Sequence, residues 1–196
     1  MKNLFLSLAV VATTLAACNS TSNKSTGNQN ESNVTQTDSQ TNNANSASEV
    51  KSTVATKEIV SQYLQIKNGL ASDNGKDAAN AGKTFVEAIG KVDQTSFTAD
   101  QKAKWADISA DAKEMAEHIG ENPDKLEHQR EHFVMLSKDV YDLVKAFGSD
   151  QVLYKVFDSM SNDGKGAFWL SETKELKNPY MGKAMSNSGT IQEEIK

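Results

Sequence analysis

Two histidines four residues apart, His128 and His132 in the run EHQREHF, and three methionines near the C-terminus, Met160, Met181 and Met185, offer the most coordination chemistry in this chain. Imidazoles at i and i+4 of a helix stand on one face and can hold one metal ion between them. Thioethers are soft donors suited to Cu(I). Against a metal, EHQREH is as rich in charge as any solvated helix face. His132 lies at the margin of its helix's apolar stripe, and His128 lies further out. His118 ends the preceding helical segment, where an imidazolium favours the helix dipole. No catalytic apparatus accompanies these residues: the sequence has no GxSxG, no HExxH and no phosphate-cradling glycine loop. An enzyme is therefore not expected. A net charge of −5 with acids and bases interleaved offers no basic face to nucleic acid.

The remaining reactive side chain is Cys18, the single cysteine, so no intramolecular disulfide can form. It closes an N-terminal segment in which Lys2 precedes the apolar run LFLSLAVVA, too short to span a membrane, and LAAC follows. This resembles the lipobox of bacterial lipoproteins. The resemblance implies a signal peptide over residues 1–17, cleavage before Cys18, and lipidation of that residue. More than one acyl chain anchors stably. The protein is then expected in a bacterial cell envelope, membrane-anchored and periplasm-facing. Residues 18–49 are almost wholly Ser, Thr, Asn and Gln, a composition that buries too little apolar surface to order itself. They read as a disordered tether with a reach of about 30 Å.

The elements that must position the histidines and methionines occupy residues 50–196. Ile59, Tyr63, Ile66 and Leu70 recur at helical spacing, ended by Ser72-Asp73-Asn74-Gly75. Ala78, Ala81, Phe85, Ile89 and Val92 form a second stripe. Thr98 and Gln101 form a capping box for a third helix carrying Trp105, Ile108, Ala112, Met115 and Ile119. Asn122-Pro123 reads as the start of a fourth, with Leu126, Phe133, Leu136, Val140, Leu143, Val144 and Phe147 on its apolar face and Gly148 at its end. Short loops between four amphipathic helices favour an antiparallel up-down-up-down bundle, so the expected fold is all-α. Val152 to Phe157 is ambiguous between a short extended piece and a further helical turn. Beyond it, Gly164, Gly166, Gly182 and Pro179 break helical patterning, while Phe168, Trp169 and Tyr180 supply aromatic bulk. An irregular segment folding across one end of the bundle and burying those rings accounts for these residues without any ligand.

The runs GKGAFWLS and NPYMG, with the HQREHF run and Ser137 before them, resemble the DUF3347 family over roughly residues 60–189. The resemblance marks Gly166, Ala167, Trp169, Leu170, Ser171, Asn178, Pro179, Tyr180 and Gly182 as family-motif positions. It implies a small helical domain of bacterial envelope proteins, also appended to periplasmic adaptors of heavy-metal efflux pumps. In such proteins two cysteines with nearby methionines look like a soft-metal site, with copper the implied metal. Here Asp158 and Ser188 stand at the cysteine positions, while Met160 and Met185 remain. Loss of both thiolates removes the strongest Cu(I) ligands. The expectation is a non-enzymatic, lipid-anchored binding domain associated with copper or heavy metals, partnered with a heavy-metal efflux component or another envelope protein. The rival is a protein-binding or structural envelope module without metal, using an aromatic patch of Phe168, Trp169 and Tyr180. No cofactor is demanded by any motif, and no nucleic acid partner is expected.

Overall fold

In a computed structural model, residues 41–196 are described, with side chains from Thr56 onward. Helix α1 (Thr41–Ala71) is followed by α2 (Gly75–Gly90), α3 (Ala99–Glu121) and α4 (Leu126–Phe147). Each packs on the next and α4 returns to α1, closing an up-down-up-down bundle. The four apolar stripes face inward: Ile59, Tyr63, Ile66 and Leu70 are fully buried, as are Phe85, Ala112, Ile119, Phe133, Leu136 and Leu143. The capping box forms as expected, with Thr98 accepting from the Gln101 amide at 3.2 Å and Gln101 accepting from the Thr98 amide at 2.9 Å. Helix α1 takes in residues 41–49, which composition assigns to the tether. The signal peptide, Cys18 and the rest of the tether lie outside the described residues. Among the described residues no helix is long and apolar enough to cross a membrane.

The Asn122-Pro123 pair does not open α4. Asn122 closes α3 instead: its backbone amide reaches the Ile119 carbonyl and its side-chain amide donates to the His118 carbonyl at 2.8 Å. The turn is completed by the Lys125 amide on the Asn122 carbonyl, and α4 begins at Leu126. An asparagine flanking a helix end serves either side of a turn, and here the unsatisfied carbonyls of α3 hold it.

The all-α expectation is overturned by the C-terminal segment, which forms a three-stranded antiparallel sheet. Strand β1 (Leu153–Asp158) lies between β2 (Ala167–Ser171) and β3 (Thr190–Ile195). Val156 faces Trp169 on one side and Ile191 on the other, with a register irregularity beside Lys155. A 3-10 turn, Gly182–Met185, precedes β3. Strand signals were weak for physical reasons. β2 is buried at all but one position and so does not alternate, and β3 is mostly exposed and polar. Nor does the segment seal one end of the bundle. It runs along the α1–α4 side, from the Glu193 contacts with Tyr141 and Lys145 to the Pro179 contact with Arg130.

The free edge of β2 is held by hydroxyls. The Leu170 amide donates to the Tyr63 hydroxyl at 2.9 Å, and the Tyr180 hydroxyl donates to the Phe168 carbonyl at 2.7 Å. Ser137 bridges the two tyrosines, 2.9 Å from Tyr63 and 3.3 Å from Tyr180. Proton order follows by elimination, because Tyr180 has spent its one proton on Phe168. Ser137 must donate to Tyr180, and Tyr63 must donate to Ser137. Burial pushes both phenols upward, so each remains neutral and each link keeps its proton. A relay from α1 and α4 thus satisfies a strand edge that a short sheet would otherwise leave open.

The NPYMG run earns its residue types locally. The Asn178 side chain caps the Tyr180 and Met181 amides, and the Pro179 carbonyl accepts from Arg130. Gly182 has φ +56 and sits against the Asp73–Arg130 ion pair, where a Cβ would collide with both partners. Gly166, with φ +82, faces the Phe157 ring at a distance no side chain would allow. Ala167, Trp169, Leu170 and Ser171 are buried between the strands and helices.

Candidate metal centre

The four-residue connection between α3 and α4 sets the last turn of one helix against the first turns of the other. Gln129, fully buried, fastens this junction by donating to the Ile119 carbonyl at 3.0 Å and the Gly75 carbonyl at 2.9 Å. Asn122 grips the carbonyl of His118 itself. Across this hairpin His118 of α3 meets His128 and His132 of α4, and one ring nitrogen from each lies within 4.8 Å of the others. The His118 and His132 rings stack at 4.3 Å with an interplanar angle of 2°, and His128 stands nearly perpendicular to both. His132 Nδ1 also lies 3.4 Å from the sulfur of Met115.

Three imidazoles this close define a borderline-metal site if their lone pairs converge. Donors about 2.0 Å from one tetrahedral ion are roughly 3.3 Å apart, so the trio closes by up to about 1.5 Å on capture. Parallel rings aim their lone pairs in parallel planes. One of the stacked pair therefore turns about χ2 to admit an ion, a motion open to His118, whose side chain is 43% exposed. Burial first, and then the neighbouring imidazoles, hold His132 below the usual histidine range, leaving it neutral with a lone pair to give. Glu131 lies 3.5 Å from His128 and Glu114 lies 4.0 Å from His118. At these separations the carboxylates add negative potential around the imidazoles, which favours a cation there, without a hydrogen bond to either ring.

The other expected ligands fall elsewhere. Met160 and Met181 line one shallow cavity of about 280 Å³ with Glu127, Arg130, Glu131 and Tyr180. Met185, at the end of the 3-10 turn, is exposed and is not part of that lining. The two positions where the family resemblance places cysteines do meet: the Ser188 hydroxyl donates to Asp158 Oδ2 at 3.1 Å. A polar network fills the place. Asp158 also accepts from the Met160 amide, Ser161 and Asn178, and Asn178 donates to Ser188 at 2.9 Å. Burial raises the Asp158 carboxyl, but the four donors outweigh it and hold the group below its ordinary value. Such a carboxylate is satisfied by hydrogen bonds rather than open to an ion.

The aromatic patch expected of a protein-binding surface is not a surface. Trp169 is fully buried and Tyr180 is 8% exposed. Phe168 is half-buried beneath the ammonium of Lys155, 4.4 Å from its ring centroid. These rings pack on the bundle because its α1–α4 side presents Phe133 and the tyrosine relay to them.

The class is thus a four-helix bundle with a small sheet laid along one side and a histidine trio at its α3–α4 hairpin. A family model described as "Protein of unknown function (DUF3347)" matches residues 59–152, and the chain belongs to that family. The matched stretch contains Met115 and all three histidines but ends before β1, short of GKGAFWLS and NPYMG. No curated protein and no solved structure matches the chain.

The histidine pair was legible as i,i+4 spacing. His118 and Met115 carry no ligand signal in the sequence, where one is a dipole partner at a helix end and the other a member of an apolar stripe. The missing signal is the hairpin: with a tight turn at Asn122-Pro123, residues just before it and just after it must face one another.

Proposed function

We propose that this protein is a non-enzymatic, lipid-anchored module of a bacterial envelope that binds one transition-metal ion of the borderline or soft class. The observation carrying this reading is the convergence of His118, His128 and His132 within 4.8 Å across the α3–α4 hairpin. The ion is held by imidazoles rather than by the thioethers of Met160, Met181 and Met185. The neutral state favoured for His132 and the carboxylates beside His118 and His128 support the same reading. Membrane attachment rests on the lipobox-like LAAC run ending at Cys18. A tethered metal-binding bundle suits an accessory of a heavy-metal efflux component, which keeps ions near the membrane without transforming them.

Titration of the full chain in detergent with Zn2+, Ni2+ and Cu2+ tests this reading. One ion per chain is expected, with uptake abolished by His132→Ala and by His118→Ala. Uptake is expected to be unchanged in a Met160→Leu, Met185→Leu double variant. Loss of uptake only in the methionine variant moves the site to the C-terminal segment. A chain that takes up none of these metals, nor Cu(I) under anaerobic buffering, is a structural envelope module instead.

A further inference from the structure

We infer that Met115 supplies a fourth donor to the histidine trio and makes the site selective for monovalent copper over zinc. The inference rests on the three-histidine reading and adds the identity of the ion. Met115 belongs by sequence to the apolar stripe of α3 and is 8% exposed, yet its sulfur is turned to a ring nitrogen rather than to hydrocarbon alone. It precedes His118 by three residues, so both project from the same face of α3 toward α4. The separation between the Met115 sulfur and His132 Nδ1 is 3.4 Å. A nitrogen at about 2.0 Å and a sulfur at about 2.3 Å from one tetrahedral ion lie roughly 3.5 Å apart. In the metal-free chain this contact is an Nδ1–H···S hydrogen bond, since a thioether can only accept. An ion taking the place of that proton, with the ring proton moved to Nε2, finds the two heavy atoms at the spacing of ligands sharing it.

The donor set decides the metal. Zn2+ is well served by three imidazoles and a water, and a neutral thioether adds little for it. Cu(I) is soft, carries a single charge, and gains from a thioether at low coordination number. Three nitrogens and one thioether sulfur are a complete tetrahedral set for Cu(I) with no anionic ligand. Because Met115 is buried while His118 is well exposed, the sulfur approaches from the core side and the imidazoles from the solvent side.

The test compares Cu(I), buffered anaerobically by a chromophoric chelator, with Zn2+ on the full chain and on its Met115→Leu variant. Leucine keeps the volume and apolar packing, and the thermal midpoint of the metal-free variant checks that the bundle is intact. Copper affinity is expected to fall about tenfold or more in the variant while zinc affinity stays within about twofold. X-ray absorption at the copper edge is expected to show one sulfur neighbour in the parent chain and none in the variant. Equal loss of both metals, or copper binding untouched by the substitution, overturns the assignment of Met115 and leaves the histidine trio standing. Failure of the parent chain to take up either metal overturns both.

Discussion

Replacing Tyr63 by phenylalanine removes one oxygen from the middle of the molecule and leaves every ring contact in place, including the stack on Phe133 at 5.1 Å. The oxygen's loss orphans the Leu170 amide, which is buried at the outer edge of β2. An unsatisfied buried donor costs about 1–3 kcal/mol. Ser137 also loses an incoming proton, worth roughly 0.5–1 kcal/mol. The sum is about 1.5–4 kcal/mol, or a fall of roughly 5–15 °C in thermal midpoint for a domain of this size. Urea unfolding followed by circular dichroism measures it, and an unchanged slope with denaturant confirms that the same surface is exposed. A shift of less than about 0.5 kcal/mol in Tyr63→Phe, with the sheet intact, refutes a role for the hydroxyl in holding the strand edge. That result would mean the relay is ornamental and the strand edge is held by packing alone.

Burial above all, with Asp111 and Asp142 nearby, raises Asp139 to about 6, and its Oδ2 has no hydrogen-bond partner. Between about pH 4 and 6 the folded chain keeps a proton that the unfolded chain has shed, so stability falls as pH rises through that window. Asp139→Asn is expected to flatten the slope and to stabilise the protein at pH 7.5 by about 1 kcal/mol, a value discounted because the site is half open to solvent. Chemical denaturation at pH 4.5 and pH 7.5 reads both effects, and a variant no more stable than its parent at pH 7.5 counts against them. The Lys67 ammonium is 1% exposed and lies 2.6 Å from Glu172. Burial lowers the lysine despite the pairing, whereas the lysine holds Glu172 down despite burial, so the pair is costly to make and costlier to break. Glu172→Gln is expected to destabilise by about 2–3 kcal/mol, and adding Lys67→Met to recover most of it, with thermal melts of both variants as the check.

What the sequence made legible was set by periodicity. Ile59, Tyr63, Ile66 and Leu70, or Phe133 through Phe147, repeat at helical spacing because one face of each helix is buried and the other wet. The bundle follows from that alone. The sheet lacked a comparable signal: Ala167 to Ser171 is apolar nearly throughout, and Thr190 to Ile195 has no inward face until its last residue. Its pairing depends on contacts across the chain, as in the match of Val156 with both Trp169 and Ile191. The same distinction divides the candidate site. His128 and His132 lie on one helix and declare themselves by spacing. His118 and Met115 join them only through the α3–α4 turn, where Asn122 caps backward to His118 although Asn-Pro ordinarily opens the following helix.

The central claim is that three imidazoles from two helices share one ion. Nitrogen-detected proton NMR of the histidine rings, recorded as Zn2+ is added to the full chain, addresses it directly. The ring nitrogens of His118, His128 and His132 are expected to shift together and to saturate at one equivalent. Rings that stay unmoved through that titration, or a single ring that shifts while the other two do not, would contradict it.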